Sequence, residues 1–224
     1  MIALLLELLF GWLHRRRLRL PPLTSVQLWA IAAGGNLAKL NGVSLKSLAT
    51  TRLPSTDRFI LRRWWGVTDA QGLRSMIAWL ANEGHRSKFR KLHAALEPGG
   101  GGGFGGRVDV DDGSVLEFVR RNHRRFKNGD LVAWDFARLI NLARWGYGAG
   151  YLPEDEAWAA ILLAARELAT EYSSWDELSD NYLLGFSYWQ DGAPPDEFLA
   201  GAADWLKADP ASPWRSLPWS AGPR

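Results

Sequence analysis

Apolar residues recur along the chain at intervals of three and four, the spacing of one helix face, and almost nowhere alternate as they would in a half-buried strand. Thr24 and Gln27 form a capping-box pair ahead of VQLWAIAAGGNLAKL, a stretch that Asn41-Gly42 stops. Thr68 with Gln71 stands in the same relation to DAQGLRSMIAWLANE, which Gly84 closes, and Ser114 with Glu117 opens VLEFVRRNHRRFK, ended by Asn128-Gly129. Pro153 suits the first position of a helix whose leading Glu154, Asp155 and Glu156 complement the positive end of the helix dipole. Ser174 and Glu177 begin WDELSDNYLLGFSYW, and Pro195 begins DEFLAGAADWLK, which Asp209-Pro210 terminates. The pattern predicts an all-α fold: a single compact multi-helix domain of about eight to ten helices joined by short connections.

One connection breaks the rule. PGGGGGFGGR, from Pro98 to Arg107, contains Gly101, Gly103 and Gly106 in GxGxxG order, but a dinucleotide fingerprint follows a strand and opens a helix, and here a helix and a proline come first. No Gly-Lys-Ser/Thr closes the run as a phosphate loop requires. It reads as a flexible Gly-rich linker over 98–113 between two helical lobes, 23–97 and the Trp-rich 114–224, which together make one domain over 23–219. Before them stands an apolar and basic helix over 1–22. Its apolar run is broken by Glu7 and ends at Leu13, short of the ~20 residues of a spanning helix, and its arginines follow that run, whereas a secretory signal places them ahead of it. It is expected to pack on the domain. Trp12 and Arg15, Arg16, Arg17 and Arg19 also suit a lipid headgroup layer, so peripheral membrane contact through residues 1–20 is the second expectation for a protein otherwise expected in the cytoplasm.

Composition narrows the chemistry. The chain has no cysteine, hence no disulfide, thiolate metal site or thiol nucleophile. HExxH, paired histidines at i, i+4, and GxSxG do not occur, and Asp109, Asp111, Asp112 and Gly113 miss the spacing of a calcium loop, so neither metal nor cofactor is expected. The net charge of +3 hides a division: +10 over residues 1–97, +2 over 98–150 and −9 over 151–224. A nucleic-acid binder rarely carries such a matching acidic half, so the split reads first as attraction between two parts of one fold. The basic runs Arg86, Lys88, Arg90, Lys91 and Arg120, Arg121, Arg124, Arg125, Lys127 read as solvated faces. Val115, Leu116, Phe118, Val119 and Phe126 give the second run an ordinary buried side.

Eight of the thirteen tryptophans fall between Trp134 and Trp219. The helix predicted from Leu131 to Trp145 has an apolar face of Val132, Phe136, Leu139, Ile140 and Ala143. Its opposite face sets Trp134 and Trp145 among Asp135, Arg138 and Asn141, with Arg144 at the edge. Asp135 and Arg138 stand at an ion-pair spacing, and an arginine among indoles can stack as well as pair, which suits carboxylates, phosphates and planar cations. The candidate groove therefore comprises Trp134, Asp135, Arg138, Asn141, Arg144 and Trp145, with His85, just past a helix end, and Glu156 as further polar members. The bland alternative is a lock of buried, mutually satisfied hydrogen bonds tying this helix to its neighbours.

A set of local patterns resembles the bacterial domain-of-unknown-function family 1266 (DUF1266). These are Trp65-Gly66, Gly84-His85-Arg86, Trp134-Asp135 with Arg138, Arg144-Trp145-Gly146-Tyr147, Gly150-Tyr151, Glu156-Ala157-Trp158, Ser174-Trp175, Asn181-Tyr182 with Gly185, Ser212-Pro213-Trp214 and Pro218-Trp219. The resemblance spans roughly Leu23 to Trp219 and leaves out the N-terminal helix and the glycine linker. It implies a bacterial protein with no catalytic residue to carry over, and it places Asp135, Arg138 and Arg144 in the family's pattern without choosing between pocket and lock. Three functions follow as expectations. The first is a non-enzymatic module binding a protein or small anionic partner in a Trp/Arg-lined groove. The second is an enzyme acting on an anionic substrate, with Arg138 and Arg144 as clamps and Asp135, Glu156 or His85 as acid or base, which requires these side chains to converge. The third, less favoured, is nucleic-acid binding through the basic helices.

Overall fold

Helix follows helix from Ser25 to Ser216, and no strand occurs among the described residues. The computed structural model describes residues 22–50, 53–96 and 113–223. The helix expected over 1–22 and the linker expected over 98–113 lie, but for Pro22 and Gly113, outside the described residues. Nine helices of nine or more residues and two short ones are described.

Local chemistry sets their ends. Thr24 Oγ1 accepts the Gln27 N–H at 3.2 Å while Gln27 Oε1 accepts the Thr24 N–H at 2.9 Å, the reciprocal box that starts α1 (Ser25–Ala33). The helix predicted to run on to Leu40 breaks at Gly34, and α2 (Gly35–Leu40) begins anew. The break falls where the backbone is pressed on the central helix. Gly34 O accepts from Asn141 Nδ2 at 2.8 Å, and a Cβ on Gly34 would stand 2.7 Å from the same nitrogen. After α3 (Pro54–Trp65), α4 (Ala70–Asn82) is capped by Asp69, whose carboxylate accepts the Gly72 N–H at 2.8 Å, and not by the expected Thr68. α5 (Arg86–Leu96) precedes the glycine run, and α6 (Gly113–Asn122) follows it, starting ahead of Ser114. α6 also stops before the predicted Asn128-Gly129, giving way to two 3-10 turns. α7 (Val132–Ala149), α8 (Glu154–Glu171), α9 (Trp175–Trp189, capped by Ser174), α10 (Glu197–Ala208, capped by Asp196) and α11 (Pro213–Ser216) complete the order.

The eighteen-residue α7 is the hub: α1, α2, α3, α4, α8 and α9 all pack on it, so helices from both sides of the glycine run share one core. Fifteen of its residues are buried, leaving only Arg138, Tyr147 and Gly148 in partial contact with solvent. A helix enclosed on every side must satisfy its polar groups internally. Its second face, read from the sequence as an accessible groove wall, is for the most part a second buried face. At one end of the bundle Trp175 stacks on Trp214 at 5.3 Å, and Trp29 packs at 4.9 Å from Trp175 and 4.8 Å from Trp219. The Trp214 and Trp175 indole N–H groups donate to Ala32 O and Leu217 O, each at 2.8 Å, which closes the C-terminal stretch over α1.

The basic and acidic parts meet at surface pairs. Arg74 grips Glu156 through two hydrogen bonds at 2.6 and 2.9 Å, and Lys127 meets Glu177 at 2.7 Å. No helix among the described residues is long and apolar enough to cross a membrane.

Burial of the phenols dictates how the fold responds to alkali. Desolvation raises Tyr172 and Tyr182 far above the ordinary value of 10.0 and pushes Tyr188 up to about 12. Above pH 10 the unfolded chain ionises these groups and the fold does not, so stability is lost from pH 10 upward. Tyrosinate absorbance during a pH titration is therefore expected to appear in two stages, the later one coincident with loss of helical circular dichroism. A single stage with helicity intact beyond pH 12 would contradict this.

Candidate binding pocket

The polar residues of α7 divide into an internal lock and one member of a cavity. In the lock, Arg144 is fully buried, and its guanidinium donates to Ser44 O, to Ser47 O at 2.9 Å and to Leu48 O at 3.4 Å, pinning the stretch between α2 and α3. Desolvation lowers its pKa to about 10, with Asp57 opposing the shift. Asn141 donates to Gly34 O and, at 2.9 Å, to Ala137 O. Asp135, with no exposed surface, accepts from the His85 and Arg86 backbone N–H groups and from Arg86 Nη1, each at 3.1 Å. Arg86 also donates from Nη1 to Leu80 O and from Nη2 to Ala81 O. The turn that presents these donors needs Gly84, whose φ is +59° and whose hypothetical Cβ would lie 2.0 Å from Asp135 Oδ2. The i, i+3 pair of Asp135 with Arg138 suggested by the sequence is replaced by the pair of Asp135 with Arg86.

Arg138 turns the other way. Its guanidinium carbon stands 4.4 Å from the Trp134 ring centroid and 4.8 Å from that of Trp65. Nη1 lies 3.1 Å from His85 Nδ1. A guanidinium only donates, so this Nδ1 accepts and the imidazole proton belongs on Nε2. Among the described residues no carboxylate comes within ion-pair distance of Arg138. Desolvation among the rings lowers its pKa, with Tyr182 and Asp135 opposing the shift. His85 Nδ1 also stands 3.4 Å from Asp135 Oδ1, but as the acceptor of the Arg138 N–H it has no proton for that carboxylate, and the lock holds His85 through its backbone N–H instead.

Arg138 opens on a cavity of about 280 Å³ between α2, α3, α7, α9 and α10. Trp65, Trp134, Trp145, Tyr182 and Phe186 give it aromatic walls, and Ile60, Leu37 and Leu199 extend the apolar lining. Its rim is exposed: Trp64 is 72% accessible, Trp189 47% and Leu40 39%. Isolated exposed apolar residues are ordinary, whereas here three stand around one aromatic cavity.

Of the eight residues singled out from the sequence, Trp134, Arg138 and Trp145 line this cavity. His85 touches Arg138 without being part of the lining, and Asp135 sits one contact further back. Asn141 and Arg144 bond to backbone in the interior, and Glu156 is held by Arg74 at the surface. His85, placed by the sequence just past a helix end, also stands directly before α5, its carbonyl accepting the Phe89 N–H at 3.2 Å. Sequence reasoning passed over Trp64, Trp65, Tyr182 and Trp189 as lining residues. Signals for them exist. Adjacent tryptophans on one helix stand about 100° apart, so the pair covers both a wall and the edge of one face. Tyr182, Phe186 and Trp189 stand at i, i+4 and i+7 and form a stripe along α9.

The basic runs are partly neutralised: Arg90 pairs with Asp130, Arg120 and Arg121 with Glu117, and Arg86 is buried. Among the described residues no three His, Asp or Glu side chains are grouped to hold a metal ion.

The family model described as a protein of unknown function (DUF1266) matches residues 60–219. The matched segment contains the lock around Asp135 and every wall of the cavity except that from α2. The resemblance reads from Leu23 whereas the match begins at residue 60, so α1, α2 and the first half of α3 precede it. The uncharacterised protein YbeR of Escherichia coli K12 is 26% identical over 145 residues, which are 63% of this chain and 60% of YbeR, so this chain covers less than two thirds of that relative. No solved structure matches.

Proposed function

Because the chain belongs to the DUF1266 family, whose description names no activity, we propose its function from the pocket: it is a binding domain that receives an apolar group of its partner among the indoles of Trp65, Trp134 and Trp145. The observation that carries this reading is the juxtaposition of an aromatic cavity with an exposed rim of Trp64, Trp189 and Leu40. Aromatic anchors surrounded by a rim that excludes water are where binding energy concentrates. Small aromatic fragments, screened by ligand-observed NMR against the full chain, are expected to bind. Trp189→Ala should weaken them about tenfold, roughly 1.4 kcal/mol, while leaving the thermal midpoint nearly unchanged because its ring is half exposed. Fragments that bind equally well to Trp189→Ala and Trp64→Ala would place the binding surface elsewhere.

A second reading, an enzyme acting on an anionic substrate, draws on the contact of His85 with both Asp135 and Arg138. It loses two of its expected parts, since Arg144 and Glu156 do not join that cluster. Chemical conversion of any bound fragment on prolonged incubation, abolished by His85→Gln, would favour it over simple binding. Nucleic-acid binding finds less support, because much of each basic run is already paired.

A further inference from the structure

Resting on the pocket reading, we infer that the ligand is a small carboxylic acid with one aromatic or branched apolar body, its carboxylate taken by Arg138. The argument is a balance of donors and acceptors. Arg138 carries five N–H donors, of which one is used among the described residues, toward His85. Tyr182, 1% exposed, makes no hydrogen bond through its hydroxyl to any described residue, and desolvation keeps that phenol protonated. Against these stands Asn41, whose amide nitrogen is already given to Leu37 O at 2.8 Å. A donor held among apolar walls without an acceptor is costly, so a lining in which Arg138 and Tyr182 leave donors open favours a ligand that brings acceptors.

Charge and shape narrow the class. With indoles against the guanidinium and Nη1 turned to His85, the Nε and Nη2 donors are left unpaired, and two N–H groups of a planar guanidinium match the two oxygens of a carboxylate. The aromatic walls receive an apolar body. At about 280 Å³ the cavity lies just under the ~300–1,000 Å³ usual for ligand pockets, so it suits a free small molecule and is too small for a nucleotide cofactor.

Matched acids and primary amides decide the matter: phenylacetate, indoleacetate and phenylbutyrate against their amides, titrated into the full chain by calorimetry and ligand-observed NMR. At least one acid is expected to bind tenfold or more tightly than its amide, with the advantage falling to less than twofold in Arg138→Gln, and binding of the acid weakening in Trp189→Ala. Acid and amide binding alike would overturn the carboxylate assignment and leave the pocket standing. Binding of neither, by any pair, would overturn both readings. An acid preference that survives in a folded Arg138→Gln overturns the assignment to Arg138, and should that variant not fold, the wild-type ratio and the weaker binding of the acid in Trp189→Ala decide alone. Tighter binding of a short peptide ending in phenylalanine than of any free acid would replace the small molecule by a chain terminus.

Discussion

Replacing Arg144 by methionine should remove about 3–5 kcal/mol of stability, lowering the thermal midpoint by about 10 °C at the roughly 2–4 °C per kcal/mol of a domain this size. Methionine nearly matches the aliphatic stem, so little of the loss comes from a cavity. It comes from Ser44 O, Ser47 O and Leu48 O, carbonyls that lose their donor in a stretch whose Val43, Leu45 and Leu48 side chains are buried. Each carbonyl left without a donor costs about 1–3 kcal/mol, and relief of the arginine's own desolvation returns part of the sum. Because the damage is local, amides between α2 and α3 are expected to lose hydrogen-exchange protection before the rest of the core. A change below about 1 kcal/mol in urea unfolding would mean that water replaces the guanidinium, and the residue would cease to be a lock.

Arg144 also shows where legibility ends. The helix that bears it was readable from the period of its apolar positions, as were the starts of α1 and α9 from their caps at Thr24 and Ser174, because these are local properties of adjacent residues. Its partners were not. They are backbone carbonyls from a stretch about a hundred positions earlier, and a carbonyl has no signature in a sequence. For the same reason a helical wheel cannot distinguish a solvated polar face from a second buried one, and the face of Asp135, Asn141 and Arg144 looks identical in either case. Arg138 was legible as an arginine beside an indole on its own helix. That a second indole, Trp65, comes from α3 and that Tyr182 and Trp189 complete the cavity are facts of packing between distant helices. Even so, the paired Trp64-Trp65 and the i, i+4, i+7 stripe on α9 were present in the sequence to be used. Cap positions shifted where two polar neighbours competed: beside Thr68, Asp69 offers a charged acceptor to the helix N-terminus and wins.

Asp135→Ala should cost about as much as loss of Arg144, roughly 3–5 kcal/mol, since it leaves Arg86 buried without its counter-ion and strips the His85 and Arg86 N–H groups of their acceptor. Asp135→Asn separates charge from shape. It keeps one oxygen for these donors but turns an NH2 group toward the others, and should cost about 2–3 kcal/mol. Gly84→Ala should resemble Asp135→Ala, because its Cβ would occupy the place of Oδ2 and its positive φ is strained for any side chain. The lock and the pocket meet at this carboxylate, because the turn it holds carries His85, and His85 Nδ1 takes a donor of Arg138. In Asp135→Asn, folded at low temperature, the preference for acid over amide ligands should therefore shrink while binding of neutral aromatic fragments persists, since Trp64 and Trp189 stand outside that network. Equal loss of both would mean that the substitution collapses the cavity as a whole. An unchanged preference would show that the indoles alone hold Arg138 in place.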